Sequence, residues 1–466
     1  MKPNPLFFAL AAALGLAVAS PAFAATTSRQ SEVKALQAMI EKQQQQLNQQ
    51  QQDLQALRAS LQRLEGTQVQ QQAQIRQVAA APATKPAMPS FSSAPGVSVS
   101  LNGFVSASAF SQSKSFTFGN GQNAEFPVAG STGRLSGVDV RNTRFWLDFK
   151  GSKVAGNWTG GGHIEMDFFG GFNGTGPYSQ QQPNPRLRQA YMDLTNPVSG
   201  TTIRIGQQWD LMFPLDNVSA SLTHIAFPLG LGAGMVGWRF PGVVWMQDLN
   251  HGASGPKWRL DLGGFEGSWS GPGDNVNYLT AGNAGFRPQL EARLHVEDKN
   301  WLAYGVVHYS QVDLRGVGGT VLTPIKNNVT SEGVEVGGNW HPGPWMFKAN
   351  LYTGRGLGEI FGDLVQFGDI QESGGYLQAG YRFTPHWSAN AFYAYSKLNR
   401  NDVIRWLGAG PSGRLQNRQT ALNLQYTTGA YDFGIEWLYD TLDTVNGAGS
   451  KSTSGNQLSL SALYHF

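Results

Sequence analysis

The sequence predicts an all-β transmembrane barrel of about sixteen antiparallel strands, preceded by an N-terminal α-helical coiled coil. Three observations carry this reading. In the closing stretch, Asn456 to Phe466, Leu458, Leu460, Ala462, Tyr464 and Phe466 share one parity, and Gln457, Ser459, Ser461, Leu463 and His465 the other. That is the period of a strand with one greasy face, and it runs to an aromatic last residue. Chain ends usually fray into water, whereas the last strand of a closed membrane barrel pairs with the first and faces lipid. Runs of the same period then fill the chain from Val97 onward, separated by Gly, Asn, Ser and Pro. Composition is the third observation: 58 Gly, 26 Phe, 14 Tyr and 13 Trp among 466 residues, with 14% charged, against ~25% in soluble proteins. No stretch beyond the N-terminus reaches the ~18 apolar residues of a membrane-spanning helix. The net charge of +3 is too weak to point to nucleic acid, and the absence of Cys suits an oxidising compartment.

Taken in order, residues 1–24 read as a secretory signal. Lys2 gives the positive start, Leu6 to Val18 the apolar run, and Ala22-Phe23-Ala24 the small-x-small cleavage site. Residues 25–78 read as a coiled coil. Val33, Ile40, Leu47, Leu54, Leu61, Gln68 and Ile75 fall at heptad position a; Leu36, Gln43, Gln50, Leu57, Leu64, Gln71 and Val78 fall at d. The competing description is a glutamine-rich disordered tract, but apolar residues return in register after every polar interruption. One such helix cannot bury its stripe alone, so the segment implies self-association into two, three or four strands. In residues 79–96, Pro82, Pro86, Pro89 and Pro95 forbid a helix and leave a semi-rigid linker.

Residues 97–466 carry the barrel. Phe145, Leu147 and Phe149 alternate with Arg144, Trp146 and Asp148; Ile164, Met166 and Phe168 with His163, Glu165 and Asp167; Leu290, Ala292, Leu294 and Val296 with Gln289, Glu291, Arg293 and His295. Val236, Trp238 and Phe240 are read as the outer face of a strand whose inner face holds Arg239. Tight connections such as His341–Pro344 and Thr384–His386 alternate with long ones such as Gln112–Ser136, Leu211–Gly232 and Gly354–Ser373. This is the asymmetry of periplasmic turns and external loops. A soluble β-sandwich is the rival, but Trp387, Tyr431, Tyr439 and Tyr464 near strand ends on the apolar parity favour lipid.

A barrel of this size leaves room for an aqueous channel. Arg144, Arg204, Arg239, Arg259, Arg293 and Arg382 fall on the inward parity, and guanidinium forks suit carboxylate or phosphate oxygens. These six are the candidate pore-lining residues that bind solute. Asp148, Glu165, Asp167, Asp193, Asp261, Glu291 and Glu436 share that face, so pairing across strands is the alternative for each arginine. The loop Leu211–Gly232 follows the fifth strand. It either folds inward as a constriction, with Asp210, Asp216 and His224 on its pore face, or caps the mouth or packs on a neighbouring subunit. Gly232 to Gly237 matches G-x-G-x-x-G but lacks a βαβ context. His163 with Glu165 and Asp167 reads as a polar network rather than a metal site. No cofactor is implied. No Ser/His pair with a supporting third residue is found on one lumen face, which places an enzyme such as a barrel phospholipase last.

Two segments then resemble a known group. Arg188-Gln189-Ala190-Tyr191-Met192-Asp193-Leu194 is similar to the R-Q-A-Y-x-x-L strand of trimeric porins, and Gly206-Gln207-Gln208-Trp209 to the G-Q-x-W strand that follows it. A coiled coil, a Pro-rich linker and a second strand reading Arg141-Asn142-Thr143-Arg144-Phe145 resemble the DcaP-like porins, with part of the plan shared by phosphate-selective porins. The resemblance implies a homotrimer in the outer membrane of a Gram-negative bacterium and a trimeric coiled coil in the periplasm. It also implies passive diffusion of small anions such as dicarboxylates. The expected partners are therefore a second and third copy, outer-membrane lipid and small anionic solutes, with no nucleic acid. An anchoring or adhesion protein, whose coiled coil engages the periplasm or peptidoglycan, is the alternative.

Overall fold

The computed structural model describes residues 44, 90–94, 96–117, 119–131, 133–170, 183–266, 287–313 and 325–466. The expected signal, most of the linker, and all of the expected coiled coil except Gln44, which is helical, lie outside the described residues. The remaining linker residues hold a strand, β1 (Ser90–Ala94), which folds back on the start of β2 (Val97–Gln112).

Alternation gives strands because a period of two sends successive side chains to opposite faces. The series continues with β3 (Leu135–Asp139), β4 (Arg144–Ala155), β5 (Trp158–Asp167), β6 (Arg186–Asn196), β7 (Thr201–Trp209), β8 (Arg239–Asp248) and β9 (Lys257–Phe265). After these come β10 (Gln289–Asp298), β11 (Trp301–Asp313), β12 (Asn328–Trp340), β13 (Trp345–Arg355), β14 (Gln371–Arg382) and β15 (Trp387–Leu398). A short helix, α1 (Arg400–Leu407), is capped by the Asn399 side chain, which accepts from the backbone N–H of Asn401 and Asp402. The last strands are β16 (Arg414–Thr428), β17 (Tyr431–Asn446) and β18 (Gly449–His465). From β4 to β18 each pairs antiparallel with its sequence neighbour. β2 pairs with β4 through Ser98 to Phe104 and with β3 through Ser108 to Gln112. β3 and β4 are therefore one stave broken near Val140, and with β1 set aside the barrel has sixteen staves.

The seam closes as the final strand requires. β18 pairs with β2 from Gln457↔Gln112 to His465↔Phe104. Phe466 then exchanges two backbone hydrogen bonds with Gly103, at 3.0 and 3.2 Å. A Cβ at position 103 would sit 2.5 Å from the Arg144 carbonyl and 2.7 Å from the Phe466 ring, so only glycine admits the terminal aromatic.

Leu458, Leu460, Tyr464 and Phe466 are exposed, while Gln457, Ser459 and Ser461 are buried inside. Large exposed aromatics occur on β9, β11 to β13, β15, β17, β18, Phe383 and Phe466. The large exposed apolar residues of β2 to β8, among them Val105, Val138, Ile164, Met192 and Val243, are all aliphatic or Met. Val236, Trp238 and Phe240 depart from expectation. All three are buried, and the first two precede β8 within a loop that runs inside the barrel. Their alternation is real but arises from packing against an interior core.

Candidate functional site

The loop 210–238, after the fifth stave, folds inward and crosses the lumen. Asp210 ties its two ends together: Oδ1 accepts from Phe213 N at 2.9 Å and Oδ2 from Trp238 N at 3.1 Å. Gly237 permits that neck, because a Cβ there would lie 2.5 Å from both Asp210 Oδ1 and Phe213 N. Beyond the neck the loop is fastened to the far wall. Asn339 Nδ2 donates to Asp216 O, Lys348 Nζ to Val218 O, and Asn423 Nδ2 to Ala220 O. Thr223 Oγ1 meets Ser461 Oγ at 2.9 Å, and His224 Nδ1 meets Glu436 Oε1 at 2.7 Å. Asn142 reaches in from the second stave: its Nδ2 donates to Thr223 O and its Oδ1 accepts from Ala226 N. Every one of these wall groups lies on the polar inner parity, so the loop is inside rather than over the mouth.

A second loop, 356–370 between β13 and β14, also folds inward. Gly237 N donates to Ile360 O at 2.7 Å, and the Phe361 ring stacks on Trp238 with centroids 4.7 Å apart. Leu211, Met212, Phe213, Leu231, Val236, Leu357, Ile360 and Phe361 form one buried cluster with Trp209, Phe240, Val244 and Phe265 of the wall. Each such side chain taken out of water contributes ~2 kcal/mol, so the interior of the barrel has its own apolar core. Phe116, Ala124 and Phe126 of the loop 113–134 are buried against neighbouring interior clusters.

Against the inward loop stands a basic cluster, with Arg186 over Phe227 and Arg239 over Trp238. The register slips between Glu165 and Met166 of β5, leaving Arg188 of β6 as a bulge residue turned inward. Its Nε bonds Glu165 Oε1, and its Nη1 bonds Asp167 Oδ2 at 2.8 Å. Arg186 holds the same Asp167 through Nε at 3.0 Å and Nη2 at 2.7 Å. Arg144 and Arg239 sit in the field of these four charges. Arg144 lies over Phe104, and Arg239, 7% exposed, lies over Trp209 and Trp238. The Nε and Nη2 of Arg144 and the Nε and Nη1 of Arg239 are buried with no hydrogen-bond partner among the described residues. Four guanidinium groups thus face two carboxylates, leaving two positive charges in excess.

The other expected residues divide clearly. Arg204 pairs with Asp193 through two bonds, at 2.8 and 2.9 Å, beneath which lies the Tyr191 ring. Arg259 and Arg293 share Asp261, at 2.8 and 3.0 Å. Arg382 is exposed at the short-turn end of β14. Asp216 is half exposed, 3.9 Å from His295 Nε2. Asp210 and His224 are corrected: both are buried and fix the loop to itself and to β17 rather than face the pore. Burial, with Glu291 nearby, holds the Asp210 carboxyl well above its usual pKa. His163 takes Asp148 as its partner at 2.8 Å and stacks on Tyr191, leaving Glu165 and Asp167 to the arginines. Gly232 to Gly237 lies in the inward loop, not at a strand start.

A Ser–His–acid constellation that sequence reading missed is present. His308 Nδ1 meets Glu291 Oε1 at 2.8 Å and His308 Nε2 meets Ser331 Oγ at 3.0 Å, from β10, β11 and β12. The three strands are adjacent, so their register brings together residues that are distant in sequence. All three side chains are buried, and Glu291 Oε2 is engaged by Leu211 N, so the group serves as a loop anchor with no access for an acyl substrate. Arg188 and the loop 356–370 were also missed. Alternation puts Arg188 on the parity of Ala190 and Met192, which the bulge reverses. The apolar content of 356–370 (Leu357, Ile360, Phe361, Leu364, Val365 and Ile370) is the signal that marks it as buried.

A closed sixteen-stave barrel with apolar staves outside, a charged wall inside and loops folded into its lumen defines an outer-membrane channel. The chain belongs to the Gram-negative porin family, whose model matches residues 78–401. Among solved structures it resembles the outer membrane channel DcaP of Acinetobacter baumannii, with a TM-score of 0.60 and 21% identity over 81% of this chain and 99% of that one. It also resembles OmpF of Salmonella typhi in complex with daunomycin, at TM-score 0.50 and 13% identity over 81% and 100%. An anion-selective porin from Comamonas acidovorans matches at TM-score 0.49 and 13% identity over 79% and 100%. No curated protein matches the chain by sequence.

Proposed function

We propose that this porin forms a homotrimer through which small hydrophilic solutes diffuse passively, with a bias to anions such as dicarboxylates. The observation that carries the bias is the excess of two positive charges where Arg144 and Arg239 keep unspent donors beside Arg186 and Arg188. Planar guanidinium groups recognise carboxylates by paired hydrogen bonds, and two free groups flanking one cluster suit a solute with two acidic ends. Arg382 adds a charge at one mouth, while Arg204, Arg259 and Arg293 offer the outer edges of their ion pairs. The aliphatic sector over β2 to β8 supports the trimer. Interfacial aromatics belong where a barrel meets lipid headgroups, and no aromatic described on β2 to β8 is as exposed as Trp340, Trp345 or Tyr431, which fits contact with protein.

In this reading residues 1–24 are removed on export, 25–78 associate as a three-stranded coil in the periplasm, and 79–96 connect it to the barrel. The test is reversal potential in planar bilayers under a KCl gradient, followed by titration of succinate, phosphate and a neutral sugar into the current. Anion preference and block by succinate are expected. Cation preference, or equal block by the sugar, would overturn the proposal.

A further inference from the structure

The inward loop 210–238 is not self-supporting on its β8 side. Gly230 and Gly234 rest on the wall, but Gly232, Gly237 and Trp238 rest on the loop 356–370: Gly237 N is held by Ile360 O, Trp238 is stacked by Phe361, and Gly232 lies against Val365 and Phe361. That supporting loop is itself held in an unfavourable form. Phe361, Asp363, Leu364 and Val365 have φ of 70°, 52°, 50° and 59°, and they are all of the non-glycine residues with positive φ among the described residues. L side chains resist this region, so the loop persists only while its surroundings impose it.

Buried carboxyl groups, together with Arg414 on the carbonyls of Leu364 and Val365, impose it. Asp363 Oδ2 accepts from Gly358 N at 3.0 Å, and Glu372 Oε2 accepts from Asp363 N at 2.5 Å. Glu372 is bound further by Tyr352 Oη at 3.0 Å and by Ser396 Oγ. Glu359 accepts from Ser310 Oγ at 2.7 Å, the hydroxyl next to the His308 anchor. Asp363, Glu372 and Glu359 are at most 1% exposed. The basic groups reaching this loop bind other parts of it rather than Asp363 or Glu372. Arg414 of β16 donates to the carbonyls of Leu364 and Val365, while Arg355 and Lys326 bind Asp369. Tyr352 of β13 and Glu359 complete the titratable groups facing the Asp363–Glu372 pair.

We infer that the loop 356–370 is a strained latch for the constriction, with Asp363 and Glu372 as positioning residues that hold it through the backbone N–H of Gly358 and Asp363. Charging both places two anions side by side in a buried site where, among the described residues, no cation pairs with either. The clamp then fails, the left-handed segment relaxes, and Gly232, Gly237 and Trp238 lose that support.

The direction in pH follows from the loop acids. Burial, and then the charge of Glu372, raise the Asp363 carboxyl well above its ordinary value; burial raises Glu359 to about 8. Acids raised in the closed form favour it fully below their ordinary values, and that preference is lost as pH rises through about 8 for Glu359.

The inference concerns how far the channel opens, and rests on its being a channel rather than on its anion bias. Single-channel conductance of the full chain is recorded at fixed salt from neutral pH to well above 8, with reversal potential measured in the same traces. Wild-type conductance is expected to rise about twofold or more with pH as the latched state is depopulated. Asp363→Asn with Glu359→Gln and Glu372→Gln, which removes every loop acid invoked, should stay near the neutral-pH value throughout. Phe361→Ala, which cuts the stack on Trp238 and leaves the carboxyls intact, should conduct more already at neutral pH. A flat wild-type profile, or the same rise in the neutralised variant, would overturn the latch. A cation-preferring reversal potential would refute the anion reading alone.

Discussion

Replacing Arg144 and Arg239 by Gln removes the two unspent guanidinium groups while leaving Arg186 and Arg188 to Glu165 and Asp167. The magnitude follows from Coulomb's law. A unit charge ~6 Å from a passing ion, at an effective dielectric constant of ~60, is worth ~1 kcal/mol. That is about fivefold in the occupancy of an anion for each residue and about thirtyfold for the pair. Because two buried nitrogens of each group have no hydrogen-bond partner among the described residues, their removal relieves a desolvation cost and breaks no hydrogen bond there, only ring contacts. Selectivity and stability should therefore move separately. The assay is the anion-to-cation permeability ratio from reversal potentials in dilute KCl, repeated at ~1 M, where the ~3 Å screening length should shrink the difference. Heat-modifiable gel mobility reports the fold in parallel. An unchanged ratio with an intact barrel would refute the reasoning, as would a lower unfolding temperature, since that would make both arginines wall supports.

Two other outcomes are expected. Asn142→Ala deletes the bonds to Thr223 O and Ala226 N and leaves both backbone groups unpaired inside. At about 1–3 kcal/mol for each, the inward loop should loosen, read as noisier single-channel current and protease cleavage within 210–238; steady current and full resistance would contradict its anchoring role. Deleting Phe466 removes two backbone bonds to Gly103 and the ring packed on it, together about 3 kcal/mol. Folded barrel should then melt at lower temperature in detergent, and an unchanged melting temperature would show that the seam does not depend on the terminal residue.

The barrel was legible because lipid outside and water inside impose one rule on every stave. Leu458, Leu460 and Tyr464 had to face outward if Gln457 and Ser459 faced inward, and the pairing of β18 with β2 followed from a terminal apolar face. The inward loop was legible only as a possibility, since length and aromatics mark a loop as packed without saying against what. Where the rule of two failed, local geometry had overridden it. Arg188 is turned by a bulge, and Trp238 alternates like a strand residue while packing on Phe361. His308 acquires Ser331 and Glu291 through cross-strand register, which no spacing in one strand encodes. Asp210 and His224 were recognised as special by residue type, yet their acid and imidazole groups hold backbone and wall in place. A polar residue in a constriction loop serves the loop's own shape as readily as it serves the channel.

The seam between β2 and β18 has a consequence for the order in which the molecule can form. Its contacts join residues as far apart as Ser108 and Ser461, 353 positions along the chain. Closing so long a loop is slow and comes late. Until the final residue has been synthesised, β2 offers an unpaired edge of exposed N–H and C=O groups, able to take any strand that arrives first. An exported precursor must consequently be kept apart from its siblings until its own last strand is available. The barrel is committed to being finished at the place where it began.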